Sequence, residues 1–172
     1  GYHKPIMIAG GIGYINNKYT HKNSLNDGDI IVILGGPSFR IGIGGGAASS
    51  MQSGSSNEQL DFASVQRDNA EIERRCQEVI NTCTYQKSNP IISIHDIGAG
   101  GLCNAVPEIV NDSKMGASVS LDNVDTAELN MSSLEVWCNE SQERYVLIID
   151  KENFDEYKDI CKREDRPRYV IG

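Results

Sequence analysis

The chain has 172 residues, with 16 Lys+Arg against 24 Asp+Glu and a formal net charge of −8. That length favours one domain with a real core, and the acidic balance argues against a sequence-independent binder of nucleic-acid backbone. At 39% hydrophobic and 23% charged the composition is neither disordered nor membrane-like, while 17 glycines exceed the usual share of roughly 7%.

The N-terminal Gly1-Tyr2-His3-Lys4-Pro5 has neither an initiator Met nor a charged-then-apolar leader. Ile30-Ile31-Val32-Ile33-Leu34 predicts a strand buried on both faces, ended by Gly35-Gly36-Pro37. It is the longest apolar run, far short of the roughly 20 residues of a membrane span. Asp68 with Glu71 resembles a capping box, and Ile72, Cys76, Val79 and Cys83 recur at helical spacing, which makes both cysteines core residues. A second strand is expected at 91–95 and a helix at 102–111, kinked or restarted by Pro107. Val119 and Leu121 suggest a short strand, and 134–137 a short apolar segment. A strand at 144–149 and an amphipathic helix at 151–164 follow, the latter with Phe154, Tyr157, Ile160 and Cys161 inward. Tyr169-Val170-Ile171-Gly172 reads as a last strand. The expected class is α/β (α+β), a single mixed β-sheet covered by helices. Both ends fit one domain, residues 1–172, excised from a longer multidomain chain. Five cysteines without CxxC or CxxH spacing argue against zinc and a disulfide framework, and point to a reducing, cytoplasmic setting.

Four stretches could carry chemistry. Gly42-Ile43-Gly44-Gly45-Gly46-Ala47 matches GxGxxG/A, but lies well beyond the strand end and has no following GK[ST]. It is either a backbone that approaches an anion or a glycine-rich strand in close contact. In His95-Asp96-Ile97-Gly98-Ala99-Gly100-Gly101-Leu102, Asp96 falls on the C-terminal rim of a strand, where ligand sites of α/β sheets concentrate. One carboxylate suffices for magnesium shared with phosphates and water. The amides of Gly98, Gly100 and Gly101 could meet phosphate oxygens at a helix start. Alternatively Asp96 merely caps the helix, and His95 is read as a core histidine. The polar run Asn139-Glu140-Ser141-Gln142-Glu143-Arg144 ordinarily signals a solvated turn, although Glu140 and Gln142 suit a polar ligand. Gln66-Arg67-Asp68 could read an amide and a phosphate, or simply open a helix. No Ser-His-Asp or Cys-His arrangement assembles, so a self-contained hydrolase is not expected.

In order, PIMIAGGIG (5–13), IGIGGGAASS (41–50), DFASVQRDNAEIERRCQEVI (61–80), HDIGAGGL (95–102) and EVWCNESQERYVL (135–147) form a more specific series. The series closely resembles the large, single-chain phosphoribosylformylglycinamidine synthases, or formylglycinamide ribonucleotide amidotransferases, over about residues 4–172. The matching piece is the C-terminal-type domain of their first synthetase half, within the aminoimidazole ribonucleotide synthetase superfamily. The resemblance implies a carbon–nitrogen ligase of purine biosynthesis that uses ATP and glutamine. It implies Asp96 as a ligand of Mg2+, and Gln66, Glu140, Ser141 and Gln142 as substrate-site residues. ATP would be bound mainly by a neighbouring nucleotide-binding domain and ammonia supplied by a glutaminase domain, both absent from this stretch. No nucleic acid or membrane partner is implied, and the piece alone should not catalyse. Cys103 departs from the family pattern, standing where a small hydroxyl residue is expected. The alternatives are another ATP-dependent enzyme of the superfamily, or a non-catalytic structural or dimerisation domain.

Overall fold

The computed structural model describes residues 10–43, 69–165 and 168–172. Four strands build one sheet: β1 (Ile30–Gly35), β2 (Ile91–Asp96), β3 (Arg144–Ile149) and β4 (Arg168–Val170), in the order β2-β3-β1-β4. All three pairings are antiparallel; among the described residues parallel pairing enters only as an isolated bridge between Ser38 and Thr126.

Alternation along the central strands sends side chains to two cores. Val32, Leu34, Leu147 and Ile149 face α1 (Ala70–Tyr85) and α4 (Phe154–Arg163). Ile31, Ile33, Val146 and Ile148 face α2 (Leu102–Asn111) and α3 (Ser133–Cys138). Both faces are thus buried, which is why residues 30–34 of β1 and 146–149 of β3 are apolar without interruption. Cys76, Val79 and Cys83 of α1 lie fully inside with Tyr157 and Cys161 of α4, as the helical spacing requires. Burial pushes the Cys83 thiol up to about 12.

Four local expectations are revised. Asp68 lies outside the described residues, and the α1 cap is Asn69, whose Oδ1 accepts from Ile72 N at 3.1 Å. Val119 and Leu121 form no strand: 121–123 is a 3-10 turn, and Ser120 N reaches Ile171 O singly at 2.6 Å. The 134–137 segment is helical, because Ser132 and Glu135 close a reciprocal capping box. The 151–164 stretch divides into a 3-10 turn (Lys151–Asn153) and α4. Helix α2 continues through Pro107, which sits on its exposed face.

Candidate functional site

Strand directions bring the motifs together. β1 and β2 both run antiparallel to β3, so their C-terminal ends and the N-terminal end of β3 share one rim, with Gly35 opposite Arg144 and Asp96 opposite Tyr145. Segments 36–42, 97–101 and 139–143, far apart in the chain, therefore meet there. The start of α1 joins them, because Ile72 Cδ1 lies 3.1 Å from where a Gly36 Cβ would sit.

The polar run leading into β3 is buried at three of its positions rather than solvated. Asn139, Ser141 and Arg144 are 0%, 2% and 2% exposed. Asn139 is the hub. Its Nδ2 donates to the Glu135 and Val136 carbonyls, each at 2.8 Å, and its Oδ1 accepts from Ser141 Oγ (2.6 Å) and Arg144 Nη1 (3.1 Å). The Ser141 hydroxyl also accepts from Phe39 N at 2.8 Å. Beneath it, Arg144 Nε and Nη2 and Ser38 Oγ are buried without a hydrogen-bond partner. Burial pushes the Arg144 guanidinium down to about 10. Helix α3, which delivers Asn139, is anchored by Arg40: its Nε lies 2.8 Å from Glu135 Oε1 and its Nη1 3.1 Å from Glu128 Oε2.

Glu140 clamps the glycine turn. Its Oε1 accepts from Gly100 N at 3.0 Å, and its own N donates to Ile41 O at 2.7 Å. Gly42, at φ +67°, leaves no room for a side chain: a Cβ would sit 2.6 Å from Glu140 Cβ. Gly101, at φ +63°, is equally constrained, its Cβ position being 3.0 Å from the Cys138 carbonyl carbon. Gly101 N donates to Gly98 O at 3.0 Å, closing the turn that opens α2.

Asp96 ends β2 with its side chain 80% exposed, 3.8 Å from His95 Nδ1. His95 is only partly buried and sits 3.2 Å from Glu108 Oε2 through Nε2, so the expected core histidine is a bridging one. A cavity of about 160 Å³ opens beside Asp96, lined by Glu73, Gln142, Glu143, Arg144 and Tyr145. Burial, then the Cys76 thiol and the Glu73 and Asp96 carboxylates, raise the Tyr145 phenol, so it stays a hydrogen-bond donor. Ligand pockets of whole small molecules run to roughly 300–1,000 Å³; a cavity of this size has room for only part of one. Its carboxylates favour a cation, or a phosphate bridged by one, over a bare anion. No group of three or more His, Cys, Asp or Glu among the described residues could enclose a metal. Asp96 instead fits the sparse mode in which one carboxylate shares magnesium with phosphates and water.

Asp96, Gly98, Gly100, Gly101, Glu140, Ser141 and Gln142 thus all lie at one end of the sheet. Gln66, Arg67 and Gly44 to Gly46 fall outside the described residues. The buried Asn139 and Arg144 were missed as site-building residues. The S-x-x-E spacing of Ser132 and Glu135, which signals the helix ahead of them, was the available cue.

A family model described as AIR synthase related protein, C-terminal domain, matches residues 26–172. The chain belongs to that family. Solved structures agree with this AIR synthase related C-terminal domain. T. maritima PurL complexed with FGAR superposes with a TM-score of 0.70 at 27% identity, covering 87% of this chain and 24% of that one. Phosphoribosylformylglycinamidine synthase II from Thermotoga maritima gives 0.68 at 23% identity, over 91% and 24%. Thiamine-monophosphate kinase from Stenotrophomonas maltophilia shares the fold, at 0.53 and 17% identity over 87% and 48%. The chain spans about a quarter of the length of the PurL chains. Among the described residues no helix is long and apolar enough to cross a membrane.

Proposed function

We propose that this AIR synthase related C-terminal domain supplies one wall of the synthetase site of a phosphoribosylformylglycinamidine synthase. That enzyme is a cytoplasmic carbon–nitrogen ligase converting formylglycinamide ribonucleotide to its amidine with ATP and glutamine. The carrying observation is the shared rim cavity, which places Asp96 and Gln142 of two separate motifs side by side. The PurL–FGAR likeness and the ordered motifs support the same reading. The cavity's small volume agrees with a site completed by a nucleotide-binding domain elsewhere in a longer chain, of which residues 1–172 form one domain.

Asp96 would hold Mg2+ together with the ATP phosphates, and the ion would supply charge neutralisation for phosphoryl transfer to the amide oxygen. Gln142, beside Asp96, and Gln66 offer amide groups to the substrate. Glu140, on the same rim, fixes the Gly98–Gly101 turn through Gly100 N, and the remaining amides of that turn can meet phosphate oxygens. Ser141 acts by holding the loop, since its hydroxyl is engaged with Phe39 and Asn139. Catalysis here is positioning and electrostatics, which a rigid buried network supplies.

The test is an ammonia-dependent assay of the complete protein that carries this chain. Asp96→Asn is expected to cut turnover by about 10–100-fold, the loss typical of removing a group that orients a metal. Gln142→Ala should act mainly on KM for formylglycinamide ribonucleotide. The 172-residue chain alone should form no product from substrate, ATP, magnesium and ammonia. Full turnover in Asp96→Asn, or product from the isolated chain, refutes the reading.

A further inference from the structure

Cys103 and Cys138 lie outside the two cysteine-lined helices of the opposite core and are both only half-buried, unlike Cys76, Cys83 and Cys161. Cys103 sits in the first turn of α2 and donates from Sγ to Gly100 O at 2.8 Å. Cys138 is the last residue of α3, directly before Asn139 and Glu140. The two segments are packed backbone to backbone: the Cβ position of Gly101 is 3.0 Å from the Cys138 carbonyl carbon and 3.1 Å from that of Asn139. Burial, followed by the neighbouring Cys138 thiol, raises the Cys103 thiol.

From this geometry we infer that Cys103 and Cys138 are an oxidisable dithiol, which peroxide converts to a disulfide across the glycine turn of the site. The Cys103 S–H is engaged with Gly100 O, which assigns the first attack to Cys138. The Cys138 thiolate displaces hydroxide from hydrogen peroxide, giving a sulfenic acid. The Cys103 sulfur then attacks that sulfur and water leaves, carrying the Cys103 proton. Two thiols and one peroxide become one disulfide and two waters, so sulfur is oxidised and peroxide oxygen reduced. A disulfide requires Cα atoms about 4.4–6.8 Å apart, a separation that segments in backbone contact can reach with little movement. The bond would tie α2 to α3 at the point where Glu140 already clamps Gly100. The inference needs no assumption about substrate, because it concerns only the chain's own thiols.

The experiment is differential alkylation and peptide mapping of the folded 172-residue chain before and after treatment with hydrogen peroxide. The expected result is a Cys103–Cys138 disulfide, a mass loss of two hydrogens reversible by dithiothreitol, with Cys76, Cys83 and Cys161 still reduced. Cys103→Ser should leave Cys138 as a sulfenic acid that dimedone traps, and Cys138→Ser should abolish fast oxidation at Cys103. Circular dichroism checks that both variants fold; if one does not, the wild-type mapping and its dimedone arm decide alone. The inference is overturned if wild-type Cys138 accumulates as the dimedone adduct without the disulfide. Oxidation of a Cys83–Cys161 pair at the same rate, or no oxidation at all, overturns it equally.

Discussion

Gly101→Ala tests whether the glycine turn is as tightly built as its geometry says. Gly101 holds φ +63° and ψ −145°, a region essentially restricted to glycine. Its Cβ would collide with Asn139 O and lie 3.0 Å from the Cys138 carbonyl carbon, all backbone atoms that cannot swing aside. Holding a non-glycine residue in such a conformation costs about 1–3 kcal/mol. Overpacking against a fixed neighbour adds about 1–3 kcal/mol. The sum, about 2–6 kcal/mol, is a large part of a typical stability of about 5–15 kcal/mol. With a urea m-value of about 1–3 kcal/mol/M, the unfolding midpoint should fall by about 0.7 M or more. Gly116→Ala is the matched control, because nothing lies within 4 Å of its Cβ position; its midpoint should hardly move. A Gly101→Ala midpoint within error of Gly116→Ala would refute the argument that backbone contact, not chance composition, sets this glycine.

Asn139→Ala should destabilise by about 1–3 kcal/mol, because it removes the last hydrogen bond of the buried Arg144 guanidinium and one of those held by the Ser141 hydroxyl; equilibrium denaturation measures it. Stability should also fall on the alkaline side. The Cys83 thiol rises from 9.0 to about 12 on folding, so the native state holds a proton that the unfolded chain releases. Its stabilising effect is complete below pH 9 and is lost as pH rises from 9 towards 12. Cys83→Ala should flatten that part of a stability–pH profile, and an unchanged slope would assign the alkaline loss to other groups.

Much of the frame was legible because its signals are local. The apolar runs of β1 and β3 and the cysteine-bearing stripe of α1 need only period and composition to be read. The cap of α1 moved by one residue, from Asp68 to Asn69, since two adjacent cap formers leave the choice to tertiary packing. Val119 and Leu121 were misread for a related reason: they cover a core without a neighbouring strand to pair with. The rim was harder. Asn139, Ser141 and Arg144 are polar by type, and only their mutual bonds, together with Phe39 from across the chain, make their burial tolerable. A string of letters shows the polar residues but not which of them satisfy one another. Asp96, by contrast, was placed correctly on a strand end because position after a buried run is itself a local cue.

The register between β2 and β3 also bears on where this domain can change. Asp96 faces Tyr145 at the rim, while at the far end the pairing skips from Ile91–Ile149 to Ser93–Ile148. The surplus residue, Ile92, is absorbed as a bulge away from the rim. A slip of one residue at the rim would exchange the faces of His95 and Asp96. Length variation is therefore best accommodated at the distal turn, 86–90, where the chain can grow or shrink behind the bulge. A change of loop length at that end leaves the spacing between Asp96 and Gln142 untouched, so one edge of the sheet stays in gauge while the opposite edge is free to vary.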